Sequence, residues 1–319
     1  MIQTNQIVFF GSSSISILVL DELTKADIYP SLIITTPPKP KKRGLALLPS
    51  EVKIWADRHN IPTLEPHEIK SEEFISQLQA SLSYLQLSTT SPWSLFIVAS
   101  YGKIIPQTIL DIPKHGTLNV HPSLLPKLRG ASPIQSAILE DVPINEPHET
   151  GVTIMCLDAE MDHGPIVAQE KIMIENWPPK ASELEKILGT LGGKLLAEII
   201  NPWIRGEIKS VPQDHTQASF TKKITKESGY VNLITDDAIE IYKKIRAFNV
   251  WPRTYFMTSI NKEIKKSIEQ ENMNTKNGHP VRIIITEAHI TDDKLIIDRI
   301  IPENKTEVPY LQFLREKAK

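Results

Sequence analysis

The chain has 319 residues, 40% hydrophobic and 23% charged, with a net charge of −2 at pH 7, a composition that excludes a disordered or fibrous protein. It is longer than one core usually spans, so two domains are expected, and no run approaches the roughly 18 apolar residues of a membrane span. The single cysteine, Cys156, excludes an intramolecular disulfide and a cysteine-rich metal site. The small net charge covers two unlike parts: residues 1–205 carry 17 Lys and Arg against 22 Asp and Glu, and residues 206–319 carry 19 against 16.

Residues 6–10 read as a buried first strand rather than a secretory leader, so a cytoplasmic location is expected. Gly11, Ser12, Ser13 and Ser14 supply a turn and N-cap candidates for an amphipathic helix over 15–23. A second strand over 31–35 follows at crossover distance, which predicts a parallel pair with a right-handed connection. One glycine in the first turn is no dinucleotide fingerprint, because the others of that motif are missing. Residues 36–44 contain Pro37, Pro38 and Pro40 and the most basic cluster of the chain, Lys39, Lys41, Lys42 and Arg43. The prolines disfavour helix or central strand, so this is read as an exposed loop, either solvated or a phosphate-contacting arm.

Helices are predicted over 49–59, with Ser50 near the N-cap, and over 71–82, followed by a Ser/Thr-rich connector over 85–94. The apolar run 94–99 is a central strand, and the loop 100–106, with Tyr101 and Ile105, leaves its carboxyl end. Residues 118–121 form the next strand, which stops at Pro122 because proline has no N–H for the ladder. Asn119 and His121 are two apart and share one face; Leu124, Leu125 and Pro126 make an apolar ledge beside them. Ligands of open parallel sheets bind outside the carboxyl ends of strands, so loop 100–106 and this strand end are expected to border one pocket.

A helix over 132–139 and a strand over 151–157 follow, the latter holding Cys156 as a core residue. The turn 158–164 then groups Asp158, Glu160, Asp162 and His163. A strand over 165–172 precedes a helix that runs to about 200 from a capping box of Ser182 and Glu185, weakened by Gly189, Gly192 and Gly193. Pro202, Gly206 and Pro212 mark a boundary over 201–218. Beyond it, a helix over 236–248 and strands over 254–259, 281–289 and 295–301 describe a small β-rich module.

Asn119, His121 and one acid of the turn 158–164 form a set suited to acyl transfer. An amide can donate to a developing oxyanion, an imidazole exchanges protons near its usual pKa of ~6.5, and a carboxylate can orient it. No serine stands in a nucleophile-elbow pattern, so direct transfer between two bound substrates fits better than a covalent intermediate. Zinc is a competing use of His115, His121, Asp158, Asp162 and His163, but none shows a metal-ligand spacing. The plain structural alternative makes His121 a hydrogen-bonded core histidine and Asn119 a turn residue.

The run Asn119-Val-His-Pro-Ser-Leu-Leu-Pro-Lys-Leu-Arg-Gly-Ala-Ser-Pro-Ile-Gln135 is preceded by Val98-Ala-Ser-Tyr-Gly-Lys-Ile-Ile-Pro106 and followed by Glu149-Thr-Gly-Val-Thr-Ile-Met155 and Met161-Asp-His-Gly164. These motifs, in this order, closely resemble those of the methionyl-tRNA formyltransferases, within the 10-formyltetrahydrofolate-dependent formyltransferase family. The resemblance covers nearly the whole chain. It implies an α/β fold: a Rossmann-like N-terminal formyltransferase domain over 1–205, a linker over 206–220, and a C-terminal OB-like β-barrel domain for tRNA over 221–319. It implies 10-formyltetrahydrofolate as co-substrate, no metal, and the amino group of methionine on initiator tRNA as acceptor.

Residue by residue, the resemblance makes Asn119, His121 and Asp162 the catalytic trio. It puts Ser123, Leu124, Leu125 and Pro126 on the folate, with Tyr101 and Ile105 beside them, and Lys39, Lys41, Lys42 and Arg43 on the tRNA. The alternative within the same chemistry is a formyltransferase acting on a nucleotide-linked amino sugar or another small amine; the basic loop and the β module favour tRNA. A monomer is expected, since no exposed heptad or long apolar edge stands out. The sequence departs from the family pattern at Gly11 to Ser14, in the connector 85–94 and over 142–148.

Overall fold

The computed structural model describes residues 6–40, 47–84, 93–259 and 280–317. From the N-terminus the elements are β1 (Ile7–Gly11), α1 (Ser14–Lys25), β2 (Leu32–Ile34), β3 (Lys39–Pro40), β4 (Leu47–Leu48), α2 (Glu51–Arg58), β5 (Thr63–Leu64) and α3 (Glu72–Tyr84). They continue with β6 (Leu95–Ala99), α4 (Gln107–Leu110), β7 (Thr117–His121), α5 (Pro133–Ile138), β8 (His148–Cys156), β9 (Ile166–Ile174) and α6 (Ala181–Ile204). The helix α7 (Ala238–Ala247), the strands β10 (Tyr255–Ser259), β11 (Pro280–Thr291), β12 (Lys294–Pro302) and β13 (Val308–Pro309), and α8 (Tyr310–Lys317) complete the order.

The first strands form a seven-stranded sheet in the order β5-β2-β1-β6-β7-β8-β9. Pairing is parallel from β5 through β7, and β8 runs antiparallel to β7. Every residue of β1 and β6 is buried, which is why their sequences are unbroken apolar runs: strands covered on both faces have no solvent side to mark with polar residues. Val8, Phe10, Phe96 and Val98 pack with Leu32, Ile34, Phe74 and Trp93 in one core cluster, and each such buried side chain contributes roughly 1.5–3 kcal/mol. Strand order reverses between β1 and β6, a switch point of the kind that opens a crevice at the carboxyl ends.

The glycines of α6 serve close approach. A Cβ on Gly189 would stand 2.7 Å from Leu18 Cδ1, and one on Gly192 would stand 2.6 Å from Val120 Cγ1. Gly192 thus lets α6 lie directly on Val120 of β7, the face opposite Asn119 and His121. The capping box predicted for Ser182 and Glu185 is not formed. Glu183 instead accepts from the Lys180 N–H, Ser182 pairs with Asn249, and Glu185 accepts from the Ser14 hydroxyl. Ser50 does cap α2, accepting from the Lys53 N–H at 3.0 Å. The proline-rich stretch contributes the two-residue strand β3, paired antiparallel with β4, an edge position where proline is tolerated.

The chain divides into two compact units, Met1–Pro133 with Glu149–Met173 and Glu185–Thr221, and Ile134–His148 with Ile174–Leu184 and Lys222–Lys319. The stretch 206–220, read from sequence as a linker, therefore clusters with the first unit, while 134–148 and 174–184 cluster with the second. In the second unit α7 is capped by the Asp237 carboxylate, which accepts from the Ile239 and Glu240 N–H groups. Its strands form an antiparallel sheet in the order β10-β11-β12-β13 over a core that includes Val231, Ile241, Ile245, Ile283, Ile300 and Phe313. Among the described residues no helix is long and apolar enough to cross a membrane.

Cys156 closes β8 and is only partly buried, less than its apolar run suggested, yet burial pushes its thiol up to about 11. At pH 8 its thiolate fraction would be about 10⁻³. Iodoacetamide is accordingly expected to modify the native protein far more slowly than the urea-unfolded chain, a difference that intact-mass spectrometry reads directly.

Candidate active site

Strand β7 delivers both polar residues at its carboxyl end. Asn119 is opposite Met155 and His121 opposite Thr153 in the pairing with β8, and all five residues of β7 are buried. Asn119 is 9% and His121 4% exposed. Among the described residues the Asn119 carboxamide makes no side-chain hydrogen bond, and it shares a strand face with the imidazole.

His121 is held by its Nε2, 2.9 Å from the Leu128 carbonyl oxygen. A carbonyl only accepts, so Nε2 carries a hydrogen and Nδ1 is the nitrogen left to face the acid. That acid is Asp162, with Oδ1 3.7 Å from His121 Nδ1. Its other oxygen, Oδ2, accepts from the Gly130 N–H at 2.6 Å, which turns the carboxylate toward the ring. Asp158, the other aspartate of the turn, is engaged with His163 at 2.8 Å. Of the acids in the turn, Asp162 is the one whose carboxylate lies against His121.

Several residues that shape this arrangement carried no chemical signal in the sequence. Arg129 is 3% exposed and donates from Nε and Nη2 to Gln213 Oε1 at 3.1 and 2.6 Å. Its Nη2 also lies 2.9 Å from His215 Nδ1, and the His215 ring stacks on His163 with centroids 4.1 Å apart. Ser219 accepts at Oγ from the Leu128 N–H and at its carbonyl from the Arg129 N–H. Gln213, His215 and Ser219 all come from the stretch assigned to a linker. The only hint in the sequence was the polar triplet Gln213, Asp214, His215 after Pro212, which reads equally well as loop.

Residues 5–200 match the formyl transferase family, and residues 223–318 match its C-terminal domain. A methionyl-tRNA formyltransferase of Chloroflexus aggregans is 39% identical over 252 residues, covering 78% of this chain and 75% of that protein. One from a Sulfurihydrogenibium species is 33% identical over 93% of this chain and 91% of its own.

The chain belongs to the formyl transferase family.

Its fold is also similar to that of a methionyl-tRNA formyltransferase from Clostridium thermocellum, with a TM-score of 0.53 at 15% identity, covering 93% of this chain and 97% of that one.

In this formyl transferase the ledge after β7 is fastened from below. Ser123 is 2% exposed and donates its hydroxyl to the Lys127 carbonyl at 2.7 Å. Thr153 donates to the Ser123 carbonyl and accepts from the Leu125 N–H, and Gln169 donates to the Leu125 carbonyl. Leu125 is buried, whereas Leu124 and Pro126 are half-exposed and form the accessible part of the ledge. On the neighbouring loop, Tyr101 and Ile105 belong to the core cluster. The Tyr101 ring meets Phe10 edge-on, and burial pushes its phenol up to about 12. Ser12 Oγ donates to the Tyr101 carbonyl at 2.9 Å, tying the first turn to this loop.

Lys39 is exposed on β3, close enough to help lower the pKa of Lys103, whose ammonium is chiefly depressed by burial. Lys41, Lys42 and Arg43 lie outside the described residues. Among the described residues no group of three or more His, Cys, Asp or Glu side chains is arranged to hold a metal ion.

Proposed function

We propose that this protein transfers the formyl group of 10-formyltetrahydrofolate to the amino group of methionine on initiator tRNA, in one direct attack. The observation that carries the reading is the nearly buried Asn119 carboxamide, on the same strand face as an imidazole that faces Asp162. An oxyanion forms at the formyl oxygen when an amine attacks, and a placed donor in a water-poor site is worth about 10²–10³ in rate.

The unprotonated methionine amine attacks the formyl carbon, forming a C–N bond and placing negative charge on the formyl oxygen. Asn119 donates to that oxygen and His121 donates to it from Nδ1, while the Leu128 carbonyl holds Nε2 on the far side of the ring. Asp162 orients His121 and takes up the amine proton, directly or through water. Collapse breaks the bond to the folate nitrogen, which leaves with a proton as tetrahydrofolate. The half-exposed Leu124 and Pro126, with Ser123 and Leu125 beneath them, supply an apolar shelf for the folate ring, and Tyr101 and Ile105 stiffen its neighbour from within the core. Lys39, together with Lys41, Lys42 and Arg43, contacts tRNA phosphates. On this reading the protein works as a monomer in the cytoplasm, and the C-terminal unit, proposed as an OB-like module, adds tRNA surface.

The test supplies 10-formyltetrahydrofolate with initiator methionyl-tRNA and, in parallel, with a nucleotide-linked amino sugar and glycinamide ribonucleotide. Formyl-methionine on the tRNA is expected; formylation of a small amine alone would overturn the reading. In the same assay Lys39→Ala is expected to reduce the slope of log affinity for tRNA against log salt by about one phosphate contact.

A further inference from the structure

We propose that Gln213 is a positioning residue for the transfer reaction: its buried carboxamide sets the spacing of His121 and Asp162. The inference rests on the reading that this pair works in formyl transfer.

Gln213 is 5% exposed, and its side chain uses its full hydrogen-bonding capacity. Oε1 accepts from Arg129 Nε at 3.1 Å and Nη2 at 2.6 Å. Nε2 donates to the Asp162 carbonyl at 2.9 Å and the Gly164 carbonyl at 2.7 Å. A guanidinium only donates and a carbonyl only accepts, so the amide has one possible orientation. It joins the two loops that carry the chemistry. Arg129 directly follows Leu128, whose carbonyl accepts from His121 Nε2, while Asp162 faces His121 Nδ1. The contacts form a closed ring: His121, Leu128, Arg129, Gln213, Asp162 and back across 3.7 Å to His121. Any shift of the amide is therefore transmitted to that gap.

The two joints of the ring are also the places where the backbone is strained. Leu128 has φ +60° and Asp162 φ +49°, left-handed conformations that persist for side-chain-bearing residues only where neighbours hold them. The segment that holds them is the same in both cases: Ser219 Oγ takes the Leu128 N–H, and Gln213 Nε2 grips the Asp162 carbonyl. A glutamine placed only to satisfy a buried arginine would need its oxygen alone. This one also spends both N–H groups on the turn that carries the acid.

The test is Gln213→Glu, which keeps an acceptor for Arg129 and loses the donors to Asp162 and Gly164. Turnover is expected to fall about 10²-fold, the cost of a displacement near 1 Å at a reacting pair, with KM for folate and tRNA within about threefold of the parent. In an Asp162→Asn background the same change is expected to cost less than about twofold, because it acts through Asp162. An equal loss in both backgrounds, or unchanged turnover in Gln213→Glu while Asp162→Asn is impaired, would overturn the proposal. Near-normal turnover of Asp162→Asn itself sinks the underlying reading instead. Should Gln213→Glu fail to fold, the pair Arg129→Met with Gln213→Leu replaces the buried polar contact by apolar shape, and the same two comparisons apply.

Discussion

Asp162→Asn is expected to lower the single-turnover rate of formyl transfer about 10³-fold while leaving the protein folded, within the range general acid–base groups contribute. An asparagine keeps the volume, and its oxygen can still accept from the Gly130 N–H that now binds Oδ2. What it loses is the negative charge 3.7 Å from His121 Nδ1 and, on the proposed mechanism, the group that takes the amine proton. Asn119→Ala removes the free donor and is expected to cost about 10²–10³ in rate. It should hardly change stability, since this carboxamide has no side-chain hydrogen bond to a described residue. His121→Ala is expected to be as inactive as Asp162→Asn, but also less stable by about 1 kcal/mol because it leaves the partly buried Leu128 carbonyl without its donor. Quenched-flow transfer assays with thermal melts separate the two effects. Near-normal turnover in all three variants removes the trio from the mechanism.

Gly164→Ala is expected to be the most damaging small substitution near the site. A Cβ there would stand 2.0 Å from the Cys156 carbonyl oxygen, a backbone atom with no rotamer to escape into. The Cys156 N–H donates to the Pro165 carbonyl at 2.9 Å, so the end of β8 and the start of β9 would have to part. Overpacking of this kind costs about 1–3 kcal/mol, and the displaced turn carries Asp162, so turnover should fall along with the melting temperature. Gly116→Ala provides the contrast. That residue has φ +74° but nothing within 4 Å of an added Cβ, so only the left-handed strain of about 1–2 kcal/mol applies. A melting temperature for Gly164→Ala no lower than for Gly116→Ala would contradict this account.

How much of this was legible in the sequence depended on range. β1 and β6 were readable because burial on both faces writes continuous apolar runs, and in β7 the strand period of two put Asn119 and His121 together. Ser50 as a cap was readable because a cap bond spans three residues. Gln213 was not readable, because its partners lie 51 and 84 positions away and a glutamine after a proline in a polar run looks like loop. Ser182 and Glu185 failed as a capping box for the same reason: each found a tertiary partner, Asn249 and Ser14, that outweighed the local pairing. The two-residue strands β5 and β13 are too short to carry a period at all. The glycines of α6, weak for a helix by propensity, made sense only once Leu18 and Val120 were found against them.

The route of the chain after α6 bears on how such proteins can be recombined. Val211 pairs with Ile166, Arg129 bridges to Phe220, and the Thr221 N–H donates to the Arg129 carbonyl. A seam for exchanging the C-terminal segment between relatives therefore falls no earlier than Thr221, and an exchange there must also match residues 134–148 and 174–184, which cluster with that segment. A crossover at residue 205 would import a foreign strap and, with it, another protein's alignment of His121 and Asp162.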